Sequence, residues 1–218
     1  MPDKMKDLII DSPGAQHMQL YDRRCQRLYI NETERKRLLQ VALGVAGPDC
    51  TLVLTLLYTG CRISEALALT VDAIQSEPGV VSFRTLKKRG QQVHVREVPI
   101  PPSLVELLQT RHPLQEPHRS DISPTRLWPI SRITAWQRIR RMMHRAGISG
   151  SQATPKGLRH GFGVHCVMCG VQINLIQKWM GHASMSTTAI YTNVSGPEEL
   201  EVAARMWAVP AGADQLPG

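Results

Sequence analysis

Hydrophobic positions along the chain change period several times, and the changes outline the elements. From Asn31, "NETERKRLLQVALG" puts Leu38, Ala42 and Val45 at helical spacing, with Asn31 and Glu34 as a capping box. Gly47-Pro48 breaks this helix. "DCTLVLTLLYTG" is apolar nearly all round and too long for one strand, so it predicts a buried helix ending at Gly60. Another helix starts at "RISEALAL". "GVVSF" and "VHVREVPI" predict two strands joined by the basic connection "RTLKKRGQQ", and Pro99, Pro101 and Pro102 end the hairpin. "SLVELLQTR" predicts a helix and "HPLQEPHRSDISPTRLWP" a proline-rich loop. Ile133, Trp136, Ile139, Met143 and Ala146 form a helical stripe that predicts a core face, with Arg138, Arg141 and Arg145 on another side. "GLRHGFGVHCVMCG" and "INLIQKWMG" predict two short core helices, Trp179 and Met180 among the core. The predicted class is mainly α with one small antiparallel β-sheet (α+β).

Charge sharpens this picture. The chain of 218 residues carries +8, yet from Ile122 to Pro197 there is no Asp or Glu. That stretch holds Arg126, Arg132, Arg138, Arg140, Arg141, Arg145, Lys156, Arg159 and Lys178, so the remainder of the chain is close to neutral. Solvated surfaces normally mix both signs. A long acid-free stretch predicts a face for a polyanion, with nucleic acid ahead of a membrane because the cations form no compact juxtamembrane cluster. Only two Phe and four Tyr offer a stacking platform, which disfavours RNA.

No apolar run approaches the roughly 20 residues of a membrane span, and the start lacks a secretory pattern. Five cysteines in a chain of this size read as reduced and intracellular, so a cytoplasmic location is expected. Cys166-x-x-Cys169 beside His160 and His165 lacks the second ligand pair a structural zinc needs, so two buried free thiols are expected and no metal.

Three segments carry the chemistry: "YTGCRISEALAL", "TPKGLRHGFG" and "MGHASMSTTAIYT". Taken singly, each has a plain reading. Arg62 and Glu65 are an i,i+3 pair, His182 a helix-end histidine, and Tyr191 a half-buried tyrosine. Their order and spacing resemble the tyrosine recombinase/integrase family. Thr59, Gly60, Arg62, Glu65 and Leu67 meet its first box; Leu158, Arg159 and His160 meet the second, with Lys156 where the family has histidine. Gly181 and His182, with Tyr191 nine residues on, meet the third. The resemblance spans about residues 29 to 195. It implies a catalytic domain at 29–195; the chain departs from the family's usual pattern in that an extension at 1–28 stands where a separate clamp domain is expected, and it is similar in size to the fimbrial phase-switch recombinases. An acidic tail follows at 196–218, and analogy with the family implies that it would dock on a neighbouring protomer.

The implied reaction is cleavage and rejoining of DNA through a 3′-phosphotyrosyl intermediate. A free phenol is only about 0.1% ionised at neutral pH, so Tyr191 needs a base or an electropositive pocket. Arg62 and Arg159 would clamp the non-bridging oxygens. No Asp/Glu cluster suited to Mg²⁺ lies near the boxes, so positive side chains would serve instead, with no cofactor and no ATP. The resemblance implies that a hairpin lysine, Lys87 or Lys88, protonates the leaving 5′-oxygen. His182 would donate to a phosphate oxygen, and Lys156 could donate there but not shuttle protons near neutrality. Glu65 and His160 would support these groups, and Lys88, Arg84, Arg89, Arg138, Arg141 and Arg145 are expected to contact DNA. The implied partners are double-stranded DNA bearing recombination sites, a homodimer on each site, a tetramer in synapsis and accessory DNA-bending proteins. Such chains act as integrases of mobile elements, invertases or resolvases in the bacterial nucleoid. Two rival readings stay open: an inactive DNA-binding regulator with this fold, and a type IB topoisomerase-like nicking-closing enzyme.

Overall fold

The computed structural model describes residues 19–86, 93–112, 125–193, 199–200 and 203–204. Its helices are α1 (Glu32–Leu43), α2 (Pro48–Thr59), α3 (Ile63–Ala66), α4 (Pro102–Arg111), α5 (Arg132–Arg145), α6 (Pro155–Met168), α7 (Ile173–Met180) and α8 (Met185–Ala189), the last running into a 3₁₀ turn at Ile190–Asn193. The strands β1 (Ile74–Gln75), β2 (Val80–Leu86) and β3 (Val93–Pro99) form one antiparallel sheet in the order β1-β2-β3. The mainly helical class with a small antiparallel sheet is therefore as expected.

The capping box at α1 is present: Asn31 Oδ1 accepts the Glu34 amide at 2.9 Å, and the Glu34 carboxylate accepts the Asn31 amide at 3.0 Å. Helix α2, apolar on all sides, is central. It packs on α1, α4 and α6, burying Leu52, Leu54, Leu56 and Leu57, and stops at Gly60, whose φ of +59° is the left-handed cap that glycine adopts without strain.

Several expectations shift. The helix from "RISEALAL" is a single turn, because the chain bends at Leu67 into the 3₁₀ turn that feeds β1, a strand too short to register as alternation. The buried stripe of α5 runs Ala135, Ile139, Met142, Met143 and Ala146, while Ile133 is 72% and Trp136 39% exposed. The helix seats its small Ala135 against the core, which rotates Ile133 and Trp136 outward; Arg140 then lies over the Trp136 ring at 4.9 Å and shields it from water. Cys166 is buried as a free thiol, but Cys169 is exposed, since it caps the end of α6. Met180 is fully buried and Trp179 only half-buried.

Buried apolar side chains form two clusters. The larger surrounds α2 and the inner face of the sheet. The smaller holds Leu20, Tyr29, Phe162, Val164, Cys166, Met168, Ile176, Met180 and Tyr191, so it ties α6, α7 and the Ile190–Asn193 turn to the segment before α1. The candidate site residues come from segments that feed both clusters: Cys61, Ile63 and Leu158 lie in the larger, and Phe162, Met180 and Tyr191 in the smaller.

Candidate active site

Each of the three sequence boxes contains a glycine turn or a helix start, and the fold brings these together. Arg62 caps α3. Its side chain is 47% exposed, and its Nη1 donates to Glu65 Oε1 at 3.0 Å while its amide donates to Glu65 Oε2 at 2.7 Å. The same carboxylate receives Arg96 Nη2 at 2.7 Å and Nη1 at 3.2 Å. Burial by itself would raise the Glu65 pKa; Arg96 and then Arg62 outweigh it, and the carboxyl stays below its ordinary value.

Arg159 lies in the first turns of α6, which Thr154 caps by accepting the Gly157 amide and Pro155 opens at the first helical position. It is buried, and its fork is held by two carbonyls: Nη1 donates to Gly60 O and Nη2 to Met180 O, each at 2.7 Å. Burial, helped by the charge of Arg62, lowers its pKa to about 10, so it stays cationic at neutral pH. The first box and the end of α7 thus meet on one guanidinium plane. Three of its five N–H donors remain for another partner.

At the next position of α6, His160 Nδ1 lies 3.2 Å from the Tyr191 hydroxyl. Both residues are fully buried. Burial, then Lys156 and Arg159, lowers the His160 pKa to about 4, so the ring is neutral and can accept the phenolic proton when its own proton is on Nε2. Burial pushes the Tyr191 phenol well above its ordinary value, against the opposing pull of Arg159 and Arg62, whose charges both reach it. His182 follows Gly181, the left-handed cap of α7 at φ +66°, and stacks on the Tyr191 ring at 6.2 Å between centroids. Its Nδ1 lies 2.9 Å from Thr188 Oγ1, and burial, then Arg159 and Arg62, lowers its pKa to about 3. The Nε2 atoms of His160 and His182 are both buried without a hydrogen-bond partner. Buried polar atoms left unpaired carry a real cost, and two beside one arginine mark a place where a ligand oxygen fits.

Arg62, Glu65, Arg159, His160, His182 and Tyr191 therefore gather in one site. Lys156 is exposed on the first turn of α6, close enough for its charge to act on His160. Lys87, Lys88 and Arg89 lie outside the described residues, as does most of the tail from 196 on. Arg84 is exposed on β2; Arg141 and Arg145 are exposed on α5, next to Arg132 and Arg140. Arg138 is half-buried and donates to Asp49 at 2.9 Å. Among the described residues no group of three or more His, Cys, Asp or Glu is arranged to hold a metal ion.

Arg96, Thr188 and Gly163 escaped the sequence reading. Arg96 had a usable signal: in "VHVREVPI" it shares the inward phase with the buried Val98, whereas Val95 and Glu97 point outward. A cation on the buried phase of a strand must find an acidic or carbonyl partner. Gly163 and Thr188 are defined only by what the fold places against them.

The phage integrase family model matches residues 29–197. Among relatives, the tyrosine recombinase XerA of Pyrococcus furiosus is 33% identical over 184 residues, covering 81% of this chain and 60% of that protein. The tyrosine recombinase XerD of Vibrio cholerae is 34% identical over 151 residues, covering 66% of this chain and 48% of that one. The chain thus spans about half to three fifths of the length of the curated relatives it matches. Among solved structures, XerA recombinase superposes with a TM-score of 0.68 at 24% identity, covering 91% of this chain and 68% of that one. The catalytic domain of bacteriophage HP1 integrase gives 0.56 at 26% identity, covering 83% of this chain and 95% of that one.

Proposed function

The chain belongs to the phage integrase family, and we propose that it is a site-specific DNA recombinase that breaks and rejoins strands through Tyr191. The observation that carries this is the 3.2 Å approach of the Tyr191 hydroxyl to His160 Nδ1, in a pocket where Arg159 and Arg62 act on the phenol. The buried phenol attacks a backbone phosphorus once bound DNA opens the Ile190–Asn193 turn. Tyr191 loses its proton to His160, the bond from phosphorus to the 5′-oxygen breaks, and a 3′-phosphotyrosyl link forms. The hairpin lysine, Lys87 or Lys88, protonates the leaving oxygen. Arg62, the free donors of Arg159 and the Nε2–H of His182 stabilise the charge that develops on the non-bridging oxygens. Lys156 adds positive charge at the entrance to the site. Attack by a second strand's 5′-hydroxyl reverses the step.

The phosphodiester is exchanged rather than hydrolysed, so no ATP enters the scheme, and the cationic ring takes the part a metal plays in other nucleases. Double-stranded DNA is the substrate, in keeping with solved relatives such as the XerH recombinase bound to its difH substrate. Exposed arginines of the acid-free stretch, Arg141 and Arg145, together with Arg84 on β2, grip its phosphates. Residues 29–195 form the catalytic unit, protomers pair on a site and synapse as a tetramer, and the tail from 196 docks on a neighbour. Accessory DNA-bending proteins assist synapsis in the nucleoid of the cytoplasm. Among the described residues no helix is long and apolar enough to cross a membrane.

One observation favours a second reading: a phenol that is 0% exposed and hard to ionise also suits a DNA-binding regulator without turnover. A pool of nicked duplexes with randomised centres, which trap the covalent intermediate, separates the two. An adduct that survives denaturation and is lost in Tyr191→Phe supports the recombinase. Tight binding with no adduct supports the regulator, and relaxation of supercoiled plasmid by the monomer, with no partner site, supports a nicking-closing enzyme.

A further inference from the structure

Arg96 comes from the hairpin, yet it reaches two parts of the site that Arg159 does not contact, Glu65 and the Trp179 carbonyl. Its Nη1 and Nη2 fork onto both oxygens of Glu65, and its Nε donates to Trp179 O at 2.9 Å. Its guanidinium lies over the Phe83 ring at 4.7 Å, a cross-strand neighbour in register with it. A Cβ at Gly181 would sit 3.0 Å from the Arg96 Cζ and Nη1, so the guanidinium packs directly on the turn that leads into His182. Consecutive carbonyls at the end of α7 are thus gripped by two different arginines, Trp179 O by Arg96 and Met180 O by Arg159.

We infer that Arg96 is a positioning residue of the site: through Glu65 it fixes the guanidinium of Arg62, and through the Trp179 carbonyl it fixes the Gly181–His182 turn. This rests on the recombinase reading. Arg62 is half-exposed and its long side chain has many rotamers to choose from. It is confined by one oxygen of Glu65, and that carboxylate is itself held by the Arg96 fork. A buried ion pair is weak evidence for stability, since an apolar pair of the same volume often does as well. What an apolar pair cannot supply is an oriented carboxylate facing a second arginine. The same guanidinium also locks the sheet that carries the lysine connection to the helix end that carries His182.

The test measures single-turnover adduct formation at saturating nicked duplex, duplex affinity and thermal melting for Arg96→Met and Arg96→Lys, each in the wild-type and the Arg62→Lys background. Expected is a rate loss of about 100-fold for Arg96→Met with affinity changed less than about threefold, a split that marks an interaction made in the transition state. Arg96→Lys keeps the charge but not the fork, so it recovers only part of the rate. In the Arg62→Lys background the Arg96→Met loss shrinks to about tenfold or less, because one of its two routes is already cut. Arg96→Lys carries the same comparison if Arg96→Met does not fold. A folded Arg96→Met chain that reacts within threefold of wild type overturns the positioning role alone, as does an equal loss in both backgrounds. A wild-type chain that forms no adduct overturns the recombinase reading as well.

Discussion

Gly163 lies directly beneath the ring of Tyr191: a Cβ there would fall 2.6 Å from Cε1 and Cζ of the phenol and 2.7 Å from Cε2. No real Cβ tolerates such contacts, so the ring occupies space that only glycine leaves open. Gly163→Ala should lower stability by about 1–3 kcal/mol, the usual cost of overpacking a core. It should also expel the phenol. Chemical nitration read by mass spectrometry checks this, with Tyr191 protected in the wild type and modified in the variant, while the half-buried Tyr21 and Tyr58 react in both.

Removing the acceptor of the Tyr191 hydroxyl should cost both structure and rate. His160→Phe leaves a buried phenol without its partner, at about 1–3 kcal/mol. It also removes the proposed proton acceptor, so single-turnover adduct formation should fall by about 10²–10⁴-fold. A variant that melts lower but reacts at the wild-type rate would show that His160 only fills space.

The two arginines that flank the pocket should separate in a melting experiment although the proposed reaction uses both. Arg159→Ala orphans the carbonyls of Gly60 and Met180 in a buried site, at about 1–3 kcal/mol each. Arg62→Ala breaks a partly exposed pair and should cost less than about 1 kcal/mol. Equal melting losses would contradict the assignment of Arg159 as the buried anchor.

Acid should destabilise the fold before its carboxylates titrate. His160 and His182 have folded pKa values near 4 and 3, against about 6.5 when unfolded, so the unfolded chain binds more protons below pH 6.5. Their contribution is fully present above pH 6.5 and is lost as pH falls toward 4, with a slope of about 1.4 kcal/mol per pH unit per histidine. Glu65 and Glu34, whose pKa values are lowered, act in the same direction only below about 4.5. Thermal melting between pH 7 and 5 should show the histidine slope, and His182→Asn should reduce it.

DNA affinity should fall steeply with salt, because phosphate neutralisation releases counterions. Removing Arg141 or Arg145, each exposed on α5, should weaken binding to any sequence and flatten the log–log salt slope by about 1. Fluorescence anisotropy across a salt series gives that slope directly. An affinity that does not change with salt would rule out the cationic face as the grip.

Short-range patterns were legible because they follow from local geometry. The capping box of Asn31 and Glu34, the all-apolar α2 closing at Gly60, the strand alternation of "VHVREVPI" and the acid-free stretch are written in neighbouring residues. So were the three boxes, whose resemblance to a family pattern grouped Arg62, Arg159, His182 and Tyr191 as a candidate set. The rotation of α5 was not legible: Trp136 and Ile139 satisfy one periodicity, and only the helices already packed at Ala135 decide which side is buried.

The rest depended on long-range contact. That a strand arginine at 96 meets Glu65 and the end of α7, that Arg159 joins Gly60 to Met180, and that Gly163 makes room for Tyr191 are juxtapositions of residues far apart in sequence. By itself the sequence determined which side chains carry charge, titratable protons and hydroxyl oxygens, since those are properties of residue types. The tertiary structure alone decided which are buried, which guanidinium is anchored and which proton has an acceptor, because burial and hydrogen bonding exist only once distant segments share one space.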